Sequence, residues 1–372
     1  MIAFAGNHHT IRWSQALRAA GLDVHVVCGH AAADGFSVPG VTVHPVRIEG
    51  PSVPVMSAAV SWHKALAAVQ PDVVYMQWLF ARPAMLVALD PRWPFVLTVM
   101  GSDVRQEASL QESWLDRVWR TALLLRADCI TAAAEPLAQV VAAYHPNIAK
   151  RLVILPFGVD TADFRPDGST RHRAPGVPLV IGHFKSDDPT YGRLQLLRAL
   201  EPLVHQGLSF ELHLAGWRGN DGGAVTAFLQ AHPELAACTV DKGNVEVGAM
   251  PALYRALDVY VLNSVQESFG VAAAEALASG IPVIAADVGG VRTLVRQADT
   301  GLVVPVDDIA ALRQAICEMA AHPALRASCG ARGRARMQDR FRWDDSVTQL
   351  VGHLEAAHRK RVAQPEPQPQ VR

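Results

Sequence analysis

Short apolar runs bounded by glycine, proline or aspartate alternate along the chain with segments whose apolar residues recur at helical spacing. In the first half this pattern predicts strands over 2–5, 23–28, 41–46, 72–76, 95–99, 129–133 and 153–155. Helices are predicted between them over 14–20, 60–69 and 114–125. The rhythm then restarts. Strands are predicted at 179–182, 211–216, 245–247, 258–264, 281–285 and 301–305, with helices over 193–204, 250–257 and 271–279, another behind Asp307-Asp308, and a last helical stretch at 346–358. A βαβ rhythm run twice implies an α/β protein with two parallel, doubly wound sheets. The Gly/Pro/polar stretch from Asp167 to Pro178 reads as the linker between them.

The expected division is therefore a first domain over 1–168, a linker over 169–178 and a second domain over 179–340. A helical segment over 341–362 and a Pro/Gln-rich tail over 363–372, expected to be disordered, follow. Half of the 372 residues are hydrophobic, enough for two cores. A net charge of −1 gives no electrostatic case for nucleic acid. Five cysteines without Cys-x-x-Cys spacing argue for reduced thiols, neither disulfides nor a metal site, and hence a cytoplasmic protein. There is no signal-peptide pattern and no run long and clean enough to span a bilayer.

The most informative stretch runs from Glu267 to Gly290. It reads as strand, loop, helix, strand, with Glu267-Ser-Phe-Gly-Val271 at the carboxyl end of a strand, where ligands bind in an open parallel sheet. The backbone N–H groups of Phe269, Gly270 and Val271 open the helix and make an anion site. Glu267 precedes the helix and would face the ligand. Glu275 sits among alanines, where an ionised carboxylate needs a donor such as a pair of sugar hydroxyls; the alternative is a surface helix charge. The Gly216-Trp-Arg-Gly219 loop also follows a strand and offers close backbone approach to a nucleotide.

Glu-x7-Glu with Ser-Phe-Gly after the first Glu, followed by Ala278-Ser-Gly-Ile-Pro-Val-Ile284 and the Gly289-Gly290 turn, resembles the donor-site signature of retaining glycosyltransferases of family 4. Pro156-Phe-Gly-Val-Asp160 and Phe164-Arg-Pro166 resemble the motif that ends their first domain. The resemblance implies the GT-B fold, two Rossmann-like domains facing a central cleft, with the last helix packing back on the first domain. It implies a donor site of Gly182, Lys185, Arg193, Gly216, Ser268, Phe269, Gly270, Val271 and Glu275, with Lys185 and Glu267 as the residues of catalysis. Lys185 would meet the donor pyrophosphate, Glu267 the sugar hydroxyls and Glu275 the ribose.

The acceptor is assigned to the first domain. Gly6-Asn-His-His-Thr-Ile-Arg-Trp13 is not Gly-x-Gly-x-x-Gly, which weakens any dinucleotide reading, but it resembles the opening of a branch found in surface-polysaccharide assembly. Asn7, His8, His9 and Arg12 are its candidates, the alternative for the histidines being exposed turn positions. Gly101-Ser-Asp103 matches a loop of the family, although Met100 stands where many members have His or Trp; Asp103 would hold hydroxyls or cap the next helix. Thr190, Tyr191 and Thr293 are further departures, the last from a Glu. Ser186-Asp-Asp188 lacks the spacing of a metal motif, so neither metal nor cofactor is expected.

The function implied is transfer of a sugar from a UDP- or GDP-sugar to a saccharide or lipid-linked saccharide, in surface polysaccharide or glycolipid biosynthesis. A sugar-nucleotide epimerase or phosphorylase of the same fold and a non-catalytic sugar-nucleotide or glycan-binding homologue are the alternatives. Trp114, Leu115, Val118, Trp119 and Leu123 with Arg117, Arg120 and Arg126 suggest a helix that could lie on the inner face of an anionic membrane; ordinary packing on the sheet is the competing reading.

Overall fold

The computed structural model describes residues 1–3, 7–28, 36–46, 55–79, 90–104, 114–167 and 177–363. Most of the linker, nearly all of the tail and Gly6 of the acceptor loop lie outside the described residues. So do the side chains of 55–59 and of 115 and 116.

The chain forms two compact units, Met1–Leu155 together with the segment from Ser346 onward, and Pro156–Asp345. Unit 1 holds a seven-stranded parallel sheet, β1 (Ile2–Ala3), β2 (His25–Cys28), β3 (Thr42–Pro45), β4 (Val74–Gln77), β5 (Phe95–Val99), β6 (Cys129–Ala132) and β7 (Leu152–Ile154), ordered 3-2-1-4-5-6-7. Unit 2 holds a six-stranded parallel sheet, β8 (Leu179–Phe184), β9 (Phe210–Ala215), β10 (Thr239–Asp241), β11 (Val259–Leu262), β12 (Val283–Ala286) and β13 (Gly301–Val304), ordered 10-9-8-11-12-13. The order reverses between β1 and β4 in the first sheet and between β8 and β11 in the second. Those are the two places where an open sheet leaves a crevice at its carboxyl edge.

The apolar runs become strands because helices cover both faces of each sheet. Every residue of β5 and of β8 is buried, as continuous rather than alternating hydrophobicity requires. Trp62, Phe95 and Leu123 anchor the first core, and Leu200, Leu212 and Ile316 the second. Burial pushes the Cys28 and Cys129 thiols up to about 11, so both are packing groups.

Three local expectations are corrected. No strand forms at 245–247; Val247–Ala249 is a 3₁₀ turn, and the edge strand is Thr239–Asp241, too short to stand out by pattern. Strand β8 continues through His183 and Phe184, two residues beyond the expected 179–182. The first helix starts at His8, not Ser14, because the Asn7 side chain accepts from the His9 N–H at 2.8 Å and caps it.

The segment 156–164 packs within unit 2. Val159 exchanges backbone hydrogen bonds with Phe341 and Trp343. The Arg334 guanidinium gathers the carbonyls of Thr161, Phe164 and Ala278. The compact division thus falls at Leu155, ahead of the linker. The terminal helix runs over Trp343–Val362 with Asp344 and Asp345 in its first turn and Arg359 to Arg361 in its last, the charge order its dipole favours. Its Ser346, Leu350, Leu354 and Ala357 stripe is buried, and His358 Nδ1 lies 3.2 Å from the Asp72 carbonyl of unit 1.

Candidate functional site

The β8 and β11 crevice of unit 2 brings together residues far apart in sequence. Lys185 follows β8 directly, and Glu267 lies on the loop after β11. Lys185 Nζ donates to Glu267 Oε2 at 2.9 Å, and both side chains are mostly buried. The ammonium also sits 4.3 Å from the centroid of the Tyr191 ring. Burial works to discharge Lys185, but the charge of Glu267, then Tyr191, the Glu267 hydrogen bond and Glu275 outweigh it; the net shift is upward from the ordinary 10.5. Lys185 is therefore a fixed cation at neutral pH.

Glu267 leads through Ser268 into the helix Val271–Ala278. Gly270 makes the turn at φ 93°, a conformation costly for other residues, and no side chain caps the helix. The N–H groups of its first turn have no intrahelical acceptor. Phe269 points the other way, 1% exposed between Phe157 and Phe341, so its side chain anchors the loop and only its backbone faces the crevice.

Glu275 is half-buried on that helix among fully buried alanines, which excludes the surface-charge reading. Its Oε2 accepts from the Tyr254 hydroxyl at 2.9 Å. Sequence reasoning missed Tyr254. It is fully buried and meets Phe164 and Phe184 edge-on, and its hydroxyl supplies the half-buried carboxylate with one donor. The only signal was a tyrosine on the helix ahead of β11.

Two residues expected in the donor site, Arg193 and Gly182, have structural duties in the fold. The Arg193 guanidinium is 1% exposed and donates to the carbonyls of Lys185 and Ala215, so it props the Lys185 loop from beneath. Gly182 lies where a Cβ would meet Leu257 Cδ1 at 2.2 Å, and it permits β8 to pack against the residues ahead of β11. Asp187 accepts from Gly219 and Asn220, and Asp188 caps the 3₁₀ turn at Pro189. Both acids of the Ser-Asp-Asp run are thereby used by the backbone. Among the described residues, no group of three His, Cys, Asp or Glu side chains is placed to hold a metal ion.

Behind this site, His183 is completely buried, with Nδ1 3.1 Å from the Val261 carbonyl and no partner at Nε2. Burial, then the Arg193 charge, pushes its pKa down to about 3; the Val261 bond opposes this and Lys185 reinforces it. An unfolded imidazole protonates near 6.5, so between pH 6.5 and 3 the unfolded state binds the extra proton and stability falls as pH falls. The slope is up to about 1.4 kcal/mol per pH unit. His183→Asn is expected to flatten the decline of the urea midpoint between pH 7 and 5 by one proton. An unchanged slope would remove His183 as its source.

In unit 1, the residues proposed for the acceptor gather at the carboxyl ends of β4 and β5 and on the first helix. The His8 and His9 rings lie 6.0 Å apart, and His9 meets the edge of Trp78 at 6.2 Å. Burial and then Arg12 lower the His8 pKa, so it is neutral at pH 7. Trp78, which sequence reading did not single out, follows β4 at φ 68°, a strained position for an aromatic residue. Asp103 is buried and accepts from the N–H groups of Leu79, Met100 and Gly101. Its carboxylate closes its own loop and is buried, while Ser102 is exposed beside it.

The helix Trp114–Arg126 divides its residues. Leu123 is buried, and Arg126 donates to the carbonyls of Asp90 and Trp93. Trp114 and Val118 are 73% and 54% exposed. Among the described residues, no helix is long and apolar enough to cross a membrane.

Two family models match the chain: "Glycosyl transferase 4-like" over residues 1–134 and "Glycosyl transferases group 1" over 177–322. The chain is 34% identical over 231 residues to a D-inositol 3-phosphate glycosyltransferase of Acidothermus cellulolyticus, covering 57% of this chain and 50% of that one. It thus spans about half the length of the curated relatives it matches. In structure it resembles sucrose-phosphate synthase from Thermosynechococcus elongatus, with a TM-score of 0.78 at 22% identity over 96% of this chain and 99% of that one. Anabaena HepE in complex with UDP-glucose gives 0.73 at 17% identity over 95% and 99%. At these identities the likeness establishes the fold.

Proposed function

The chain belongs to the group 1, family-4-like glycosyltransferases and has their GT-B fold, and from that membership we propose that it transfers a hexosyl group from a nucleotide-sugar to an acceptor hydroxyl. The single observation that carries this reading is the 2.9 Å Lys185–Glu267 pair beside the uncapped helix N-terminus at Val271. A cation and free N–H groups suit a departing diphosphate, and a carboxylate suits sugar hydroxyls. The HepE complexes with UDP and with UDP-glucose support a UDP-sugar as the first donor to test.

In the proposed reaction the acceptor oxygen bonds the anomeric carbon as the bond to the diphosphate breaks on the same face, giving retention. The acceptor proton passes to the leaving phosphate oxygen, so no protein nucleophile is required. Lys185 and the helix terminus carry the leaving charge, Glu267 orients the sugar, and Tyr254 holds Glu275 toward the ribose. Transfer is expected to persist in EDTA, because the charge a divalent cation would neutralise is met by protein groups. The acceptor is assigned to unit 1, near His8, His9, Ser102 and Trp78, and is a saccharide or a lipid-linked saccharide of a surface polysaccharide or glycolipid.

A panel of UDP-, GDP- and TDP-sugars tests the donor. The true donor raises the melting temperature by mass action and the others do not. Glu275→Ala is expected to weaken nucleotide binding by about 1.5–3 kcal/mol, whereas Tyr254→Phe keeps most of the affinity. Equal affinity in Glu275→Ala with the fold intact would refute the ribose assignment.

Peripheral attachment to an anionic membrane rests on exposed Trp114 and Val118 beside exposed Arg117. Arg117→Glu is expected to reduce co-sedimentation with anionic vesicles. Equal recovery on anionic and neutral vesicles would leave the helix a packing role alone.

A further inference from the structure

A cavity of about 470 Å³ lies in unit 1 at the opposite end of the sheet from the acceptor residues, where β2 and β4 begin. Its volume falls within the range, about 300–1,000 Å³, that holds one small ligand. Apolar side chains make most of its wall, with Leu17 and Leu66 from two helices behind the sheet, Val69 at a helix end and Leu354 from the terminal helix. Polar groups stand among the lining as well. His25 Nε2 lies 3.4 Å from Asp23, Arg359 donates to Glu355 at 3.2 Å, and His358 meets the Asp72 carbonyl. The Met1 amine, which donates to the His25 carbonyl at 2.6 Å, belongs to the lining too, beside the mainly exposed side chains of Asp23, Glu355 and Arg359.

That balance decides the ligand class. Acidic and basic groups are mixed in the lining, so neither an anionic nor a cationic head meets charge of one sign. Donors and acceptors are interleaved, and hydroxyls match both because each can donate and accept. An aliphatic wall with a mixed polar lining calls for an apolar chain ending in uncharged hydroxyls. We propose that this cavity is a second ligand site, for a single alkyl chain bearing a neutral polyhydroxyl head. It shares no residue with the donor chemistry of unit 2 and stands independently of that reading.

Titration calorimetry with octyl β-glucoside below its micelle concentration tests the site. One saturable event per chain is expected, with no binding of free glucose and at least tenfold weaker binding of octanoate and of octyltrimethylammonium. Val69→Trp, a half-buried position that can accept bulk into the cavity, is expected to weaken octyl glucoside at least tenfold with an unchanged thermal midpoint. Should that variant not fold, Glu355→Ala changes only an exposed side chain and is expected to cost about threefold. The proposal is overturned by unsaturable binding, by full affinity in whichever variant folds, or by either charged amphiphile binding as tightly as the glucoside.

Discussion

Lys185→Met is expected to slow sugar transfer about a hundred- to a thousandfold, the loss typical when one preorganised donor to a developing negative charge is removed. Nucleotide affinity should fall less, because the helix N-terminus at Val271 still meets the phosphates. The variant also separates catalysis from stability. In the wild type the ammonium neutralises a mostly buried Glu267, so removing it alone leaves that carboxylate without its cation and lowers the melting temperature. Lys185→Met combined with Glu267→Gln should recover the melting temperature and leave transfer lost.

The charge of Lys185 sets a further boundary. Its pKa is raised in the folded chain, so the stability it contributes is full below the unfolded value of 10.5 and is lost only as pH rises through the higher folded value. Any fall in rate between pH 7 and 9 must then come from another group. Single-turnover rates of the two variants decide the matter. Lys185→Met transferring at more than a tenth of the wild-type rate, with its fold intact, would remove Lys185 from the leaving-group role.

The sequence made the repeated strand-helix rhythm legible because both sheets are covered on two faces, and their strands stand out as apolar runs. The glycine turn at Gly270 and the place of Glu267 after a strand were legible in the same way, whereas the pairing of Lys185 with Glu267 is seen only in the fold. What it hid was the supporting structure. The sequence pattern did not show that the buried Arg193 guanidinium holds two carbonyls. Tyr254 lies 21 residues from Glu275, and only the packing of one helix against another makes them partners. Asp103 could not be separated from a ligand-facing acid without knowing that Leu79, distant in sequence, donates to it. Each of these supports is a tertiary hydrogen bond, which a local pattern does not encode.

The second large effect is expected from a residue that carries no chemistry. Gly216 ends β9 at φ 126°, and a Cβ there would lie 2.5 Å from the Lys185 carbonyl oxygen. Its N–H donates to the Gly243 carbonyl at 2.8 Å, so the turn cannot swing away without breaking that bond. The Lys185 carbonyl is fixed from the other side by Arg193. Gly216→Val must therefore displace the Lys185 backbone or strain its own, at a cost of order 1–3 kcal/mol for the backbone conformation alone. Movement of even about 1 Å at Lys185 would cost transfer on the order of a hundredfold. The expected result is a folded protein, with a melting temperature lowered by several degrees, that has lost most of its turnover and its preference for the donor over the free nucleotide. Gly219→Val is the control, since a Cβ there meets nothing within 4 Å although its φ of 106° is comparably strained. Equal losses in the two variants would trace the effect to backbone strain. A selective loss in Gly216→Val would trace it to the contact with Lys185.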